Sequence, residues 1–163
     1  MIYNVAMTKS GELDALEQSL RELFQTLKRP RYWARVSRQA GIDLDRPAAQ
    51  VLYMLARESK PLRVHDVAQR LGVEAPSATR KTQELEHMGL LRRLPDPRDR
   101  RVVGLRITTS GRSTARRLRQ SQRGLMSQAV GDWKPGERRQ LAELLTRLTH
   151  DLTQAAETDF IKK

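Results

Sequence analysis

A chain of 163 residues with 31 Lys plus Arg against 19 Asp plus Glu fits one domain of ordinary size, and its formal charge of +12 points to a polyanionic partner: nucleic acid, an anionic membrane surface or an acidic protein. The absence of cysteine excludes a disulfide framework, a thiolate nucleophile, a thiol redox sensor and a cysteine-rich zinc site. With aromatics at 4%, leucine must be the main core material; Met1 to Ser10 carry no basic lead-in, and no run approaches the roughly 18 apolar residues that span a bilayer, so a cytoplasmic protein without a membrane partner is expected.

In chain order, Leu13, Leu16, Leu20, Leu23 and Leu27 step by three and four with Phe24 widening the stripe, which predicts an amphipathic helix. Pro30 interrupts that pattern, so the helix should kink or stop there and resume through Tyr32 to Gln39 before Gly41 ends it. Asp45 suits an N-cap with Pro47 just inside, starting a helix through Val51, Leu52 and Leu55 to about Ser59, closed by Lys60-Pro61. Charge is uneven along this order. Residues 1–27 carry two basic and four acidic groups and residues 124–163 six of each, whereas residues 28–123 hold 23 basic and nine acidic groups, net +14.

The stretch from Leu62 to Thr108 reads helix, tight turn, helix, strand, charged turn, strand. Val64, Val67, Ala68 and Leu71 mark a short helix ending at Gly72, and a second runs from Pro76 through Ala78, Thr82 and Leu85 to about Met88 before Gly89. This is the helix-turn-helix arrangement, whose second helix enters the DNA major groove. Off its apolar face stand Ser77, Thr79, Arg80, Lys81 and Gln83, hydrogen-bonding or basic types suited to base edges and phosphates. Leu90–Leu94 and Val102–Thr108 then predict a hairpin separated by Pro95-Asp96-Pro97-Arg98-Asp99-Arg100-Arg101, a spacer that should not itself be strand. Arg98, Arg100 and Arg101 at its tip suit a narrow minor groove, with Asp99 bracing one of them.

Beyond the hairpin, Arg112, Arg116, Arg117, Arg119 and Arg123 cover more than one helical face, either as a solvated surface or as phosphate contacts. Leu141, Leu144, Leu145, Leu148 and Leu152 form a second leucine stripe behind Pro135 and Glu137, which suit a first helical turn. The two stripes serve either the protein's own core or an interface with a second copy.

The run Leu62-Arg63-Val64-His65-Asp66-Val67-Ala68-Gln69-Arg70-Leu71-Gly72-Val73, then Glu86-His87-Met88-Gly89-Leu90-Leu91-Arg92-Arg93 and Asp96-Pro97-Arg98-Asp99-Arg100-Arg101, resembles the winged helix-turn-helix of the MarR family of bacterial transcriptional regulators. Leu105-Arg106-Ile107-Thr108-Thr109-Ser110-Gly111 resembles the start of that family's fifth helix, and the resemblance extends from about Leu13 to Leu152. It implies a mainly α fold with a small β-hairpin wing: a single domain over 1–163, with an N-terminal dimerisation helix region at 11–45, the DNA-binding lobe at 46–108 and C-terminal dimerisation helices at 109–160. It further implies a triangular homodimer on a pseudo-palindromic double-stranded DNA operator, with Ser77, Thr79 and Arg80 as leading contacts, Arg98 and Arg100 on the wing, and Asp99 with Arg101 as the bracing pair. Family members commonly lose DNA affinity when a small aromatic or phenolic compound binds, which makes Tyr32, Trp33, Arg35 (or Arg38) and Tyr53 the expected effector pocket, or simply core.

Three departures from the family pattern stand out. Glu74 and Ala75 replace the usual Ser or Thr cap of the recognition helix, Lys134 occupies the cap position ahead of Pro135, and Ala48-Ala49 follow Pro47 where larger residues are frequent. Scattered His65, His87 and His150 give no metal-ligand spacing, and neither a poised acid–base pair nor a glycine-rich phosphate loop occurs, so no metal, cofactor or catalytic residue is expected. The reading is a homodimeric, sequence-specific transcriptional regulator, a repressor released by a small molecule. The alternatives are a basic architectural DNA-binding protein with little sequence preference and no effector, and a module that docks an acidic protein.

Overall fold

The computed structural model describes residues 9–95 and 103–160. Among them are seven α-helices and a two-stranded hairpin: α1 Lys9–Lys28, α2 Pro30–Gln39, α3 Arg46–Leu55, α4 Val64–Leu71, α5 Ala75–His87, β1 Leu91–Pro95, β2 Val103–Ile107, α6 Thr109–Ala129 and α7 Pro135–Phe160. The chain forms two compact units, residues 1–122 and 123–163, with the boundary inside α6.

In the first unit, Arg29 separates α1 from α2 because Pro30 has no amide to continue the first helix and is preset for the first turn of the second. After α2, Gly41 takes φ +63°, the left-handed conformation that ends a helix with least strain in glycine. Asp45 caps α3, its carboxylate accepting the Ala48 N–H at 2.9 Å. That helix stops at Leu55, four residues short of the predicted end at Ser59. The backbone tightens through Arg57 N–H to Met54 C=O and Glu58 N–H to Leu55 C=O, then extends so that Leu62 exchanges two hydrogen bonds with Leu105, at 3.1 and 2.7 Å. This bridge adds an extended residue to the edge of the hairpin.

α4 ends on Gly72 at φ +62°, and α5 packs against α3, α4 and β1. β1 and β2 pair antiparallel from Leu91↔Ile107 to Pro95↔Val103. Pro95 is thus the last residue of β1, a correction to the expectation that it lies in the spacer; at the end of a two-stranded ribbon its missing N–H breaks no ladder. The strands begin and end within one residue of their predicted limits, Val102 lying outside the described residues. Leu52, Leu85, Leu91, Leu105 and Leu118 are the largest fully buried side chains, joined by Val36, Val51 and Val67, so the core is leucine-dominated as composition required.

Two close approaches fix the hairpin against its neighbours. A Cβ on Gly104 would lie 2.5 Å from Pro61 Cβ, and one on Gly111 would lie 2.0 Å from the Leu90 carbonyl oxygen. Thr108 caps α6 by accepting the Gly111 N–H at 3.0 Å and donates its own hydroxyl to the Gly89 carbonyl at 2.8 Å, tying the end of α5 to the start of α6. Ser121 donates to the Val36 carbonyl at 2.9 Å, fastening α6 to α2.

The second unit contains the end of α6 and all of α7. Lys134 has no capping side chain, but Glu137 reaches back to accept its N–H at 2.7 Å, one half of a capping box. Leu141, Leu144 and Leu152 on α7 are exposed, as are Leu13, Leu16, Leu23 and Phe24 on α1 in the first unit. Among the described residues no helix is long and apolar enough to cross a membrane, and no cluster of three potential ligands could hold a metal ion.

Candidate nucleic-acid interface

α5 begins at Ala75 with Pro76 in its first turn, and Glu74 at the cap position makes no capping hydrogen bond. Its inner face is Ala78, Thr82 and Leu85, all buried at spacings of four and three, which is what pins the helix to the core. Ser77, Arg80 and Gln83 recur every three residues on the outward face and are exposed. None has an intramolecular partner among the described residues, so their donors and acceptors are open to base edges or phosphates.

Thr79 and Lys81, expected with that group, are engaged elsewhere. The Thr79 hydroxyl donates to the Ala75 carbonyl one turn back at 2.9 Å. Lys81 leans inward with its side chain 15% exposed, its ammonium donating to Asp45 Oδ2 and, at 2.7 Å, to Glu84 Oε2. Burial disfavours its charge, but the hydrogen bonds and charges of Asp45 and Glu84 outweigh that and raise its pKa above the ordinary lysine value. The partner that captures Lys81 is 36 residues away, which is why local spacing gave no sign of it.

Other central cations are also held within the molecule. Arg93 pairs with Glu86 at 2.8 Å, Arg70 with Glu58 at 2.5 Å, Arg106 donates to the Ser59 carbonyl and Arg112 to the Ala56 carbonyl. The wing residues Arg98, Asp99, Arg100 and Arg101 lie outside the described residues; β1 and β2, whose ends bracket them, are described.

The four residues expected to form an effector pocket do not line one cavity. Trp33 is buried with its indole N–H donated to the Leu44 carbonyl, and it lines an open cleft of 740 Å³ with Lys28, Arg38, Ile42, Asp45 and Arg46 among its walls. Tyr53 lines a different cleft of 500 Å³, with Gln50, Arg57, Arg119 and Gln122. Its hydroxyl donates to Gln122 Oε1 at 2.9 Å, and the Arg119 guanidinium sits 5.2 Å from its ring centroid. Burial pushes the Tyr53 phenol up to about 12, against the opposing pull of Arg119 and with a smaller push from Tyr32. Tyr32 and Arg35 line neither cleft. Tyr32 does not join Trp33 because the two are neighbours on α2, so their side chains diverge by about 100° around the helix.

A helix-turn-helix whose second helix presents Ser77, Arg80 and Gln83 outward, followed by a hairpin wing, defines a winged-helix DNA-binding regulator. Residues 42–102, which span the helix-turn-helix and β1 but stop short of β2, match the model of the MarR family. The chain is 27% identical over 144 residues to the HTH-type transcriptional repressor MdtR of Bacillus subtilis (strain 168), covering 88% of this chain and 87% of that one. Its fold is similar to that of a MarR family protein from Bacillus stearothermophilus, with TM-score 0.74, 21% identity, and coverage of 91% of this chain and 99% of the other. It is also similar to a variant of S. aureus MepR bound to an oligodeoxyribonucleotide, with TM-score 0.59, 21% identity, and coverage of 84% and 97%. The chain is thus similar to MarR-family winged-helix transcriptional regulators, by the family model over residues 42–102 and by fold over most of its length.

Proposed function

We propose that the protein is a homodimeric, sequence-specific repressor that lays two copies of α5 in successive major grooves of a pseudo-palindromic operator and releases it when a small aromatic or phenolic ligand binds. The observation that carries this reading is the outward triplet Ser77, Arg80 and Gln83 on a helix whose opposite face is locked into the core. Dimerisation is supported by the leucine faces: Leu13 and Leu152 are each 59% exposed, and Phe24 is 57% exposed, a poor arrangement for a chain that remains single. The ligand is assigned to the Trp33 cleft, whose volume suits a small organic molecule and whose Lys28, Arg38 and Arg46 suit a carboxylate or phenolate. Such a ligand acts only through a difference in affinity between the two arrangements of the reading helices.

Titration of the purified protein on a duplex selected from a random pool and on its shuffled counterpart, at one salt concentration, tests the reading. A preference of about a thousandfold or more is expected of a regulator. Equal affinity for both duplexes would instead favour the architectural alternative, and failure to bind either at low salt would favour docking of an acidic protein.

A further inference from the structure

Lys81 stands beside Arg80 in the sequence and about 100° from it around α5, so the two basic groups cannot serve the same face. Its ammonium donates to Asp45 and Glu84, and Asp45 holds a second element with its other oxygen: Oδ1 accepts the Ala48 N–H at 2.9 Å while Oδ2 takes Lys81. One carboxylate thereby joins the first turn of α3 to the middle of α5. The rest of the α5 inner face is Ala78, Thr82 and Leu85, and the apolar part of that contact is non-directional. Burial of that face sets the rotation of the helix only coarsely, whereas a charge-assisted hydrogen bond adds a preferred direction and length.

Rotation matters to an outward-facing reader. A turn of about 10° moves a side chain lying roughly 5 Å from the helix axis by roughly 1 Å. That is enough to take a contact out of the ~2.7–3.2 Å range of a good N–H···O bond.

We infer that Lys81 is a positioning residue for DNA recognition, anchored by Asp45: it stays off the DNA and fixes the rotation of α5, and so decides which base edges Ser77, Arg80 and Gln83 reach. The inference rests on the assignment of α5 as the DNA-reading helix. It assigns the sequence-expected DNA contact at Lys81 to an internal brace.

The test compares wild type with Lys81→Met, Asp45→Asn and the double variant on the selected duplex and its shuffled counterpart, each over a series of salt concentrations. Asp45→Asn keeps a good helix cap while removing the charge that holds Lys81, so it separates the brace from the folding of α3. Preference for the selected duplex should fall on the order of tenfold in each single variant, about one base pair's worth of discrimination, and no further in the double variant. The slope of log affinity against log salt should be unchanged by Lys81→Met. A slope shallower by about 0.9 per chain, or about 1.8 for a homodimer, in Lys81→Met would make Lys81 a phosphate contact and overturn the inference. Loss of thermal stability with full preference retained would also overturn it, leaving a merely structural ion pair. A wild-type protein that binds neither duplex overturns the DNA-reading assignment of α5 and the inference with it, whereas a binding wild type whose variants keep their preference overturns the inference alone.

Discussion

Arg80 is exposed on α5 with no partner among the described residues, so none of them engages its guanidinium. Arg80→Ala is expected to cost about 1 to 3 kcal/mol on the selected duplex, measured by fluorescence anisotropy, and to relax base preference if it reads a base edge. Tyr53 supplies a pH prediction. Its folded pKa of about 12 lies above the ordinary 10.0 because burial disfavours the phenolate, so the stability it confers is intact below pH 10.0 and is lost as pH rises toward 12. Chemical denaturation across that window should show the decline in wild type and a shallower one in Tyr53→Phe. Gly111→Ala would place a methyl 2.0 Å from the Leu90 carbonyl oxygen and 2.7 Å from Ile107 Cγ1, and an overpacking cost of about 1 to 3 kcal/mol or more is expected from urea unfolding. The exposed triplet was legible in the sequence only as part of a group of five, since an apolar period on a short helix names the residues off that face without separating Thr79 and Lys81 from Ser77, Arg80 and Gln83. The capture of Lys81 by Asp45 was not, because a pair made between two helices leaves no trace in the spacing of either.

At the scale of elements, helix starts and stops follow the local chemistry closely. Asp45 caps α3, Pro30 starts α2, and Gly41, Gly72 and Gly89 take positive φ where helices end. One of the two cap weaknesses seen in the sequence, Glu74 ahead of α5, is present in the structure as a cap position without a capping hydrogen bond. Glu74→Ser should therefore stabilise the protein by about 0.5 to 1 kcal/mol, read as a higher midpoint in thermal unfolding. Elements made by pairing were less legible. Leu62 is extended because Leu105 exchanges hydrogen bonds with it, and Pro95 joins β1 because a ribbon's last residue has no required donor. Neither fact is contained in the residue's own propensity. The expected ligand-binding group was divided for a similar reason: Trp33 and Tyr53 are both aromatic and both on helices of the first unit, yet each turns toward a separate cleft.

For the whole molecule, the basic centre and the leucine-striped ends were visible from composition along the chain, and the structure explains why they are separate. Arginines at 70, 93, 106 and 112 brace the winged lobe through carboxylates and carbonyls, while Arg80 is left outward. The leucine faces of α1 and α7 are left exposed, which a second copy of the chain would cover. Two lobes carried by such a pair would meet one duplex together, and the net charge of +12 per chain would make that binding fall steeply with salt. The most direct measurement is selection of bound duplexes from a fully randomised pool by the purified protein. Two inverted half-sites with centres about 10 to 10.5 base pairs apart are expected of paired α5 helices in successive major grooves. Enrichment of a single unrepeated element, or of no sequence at all, would contradict the account.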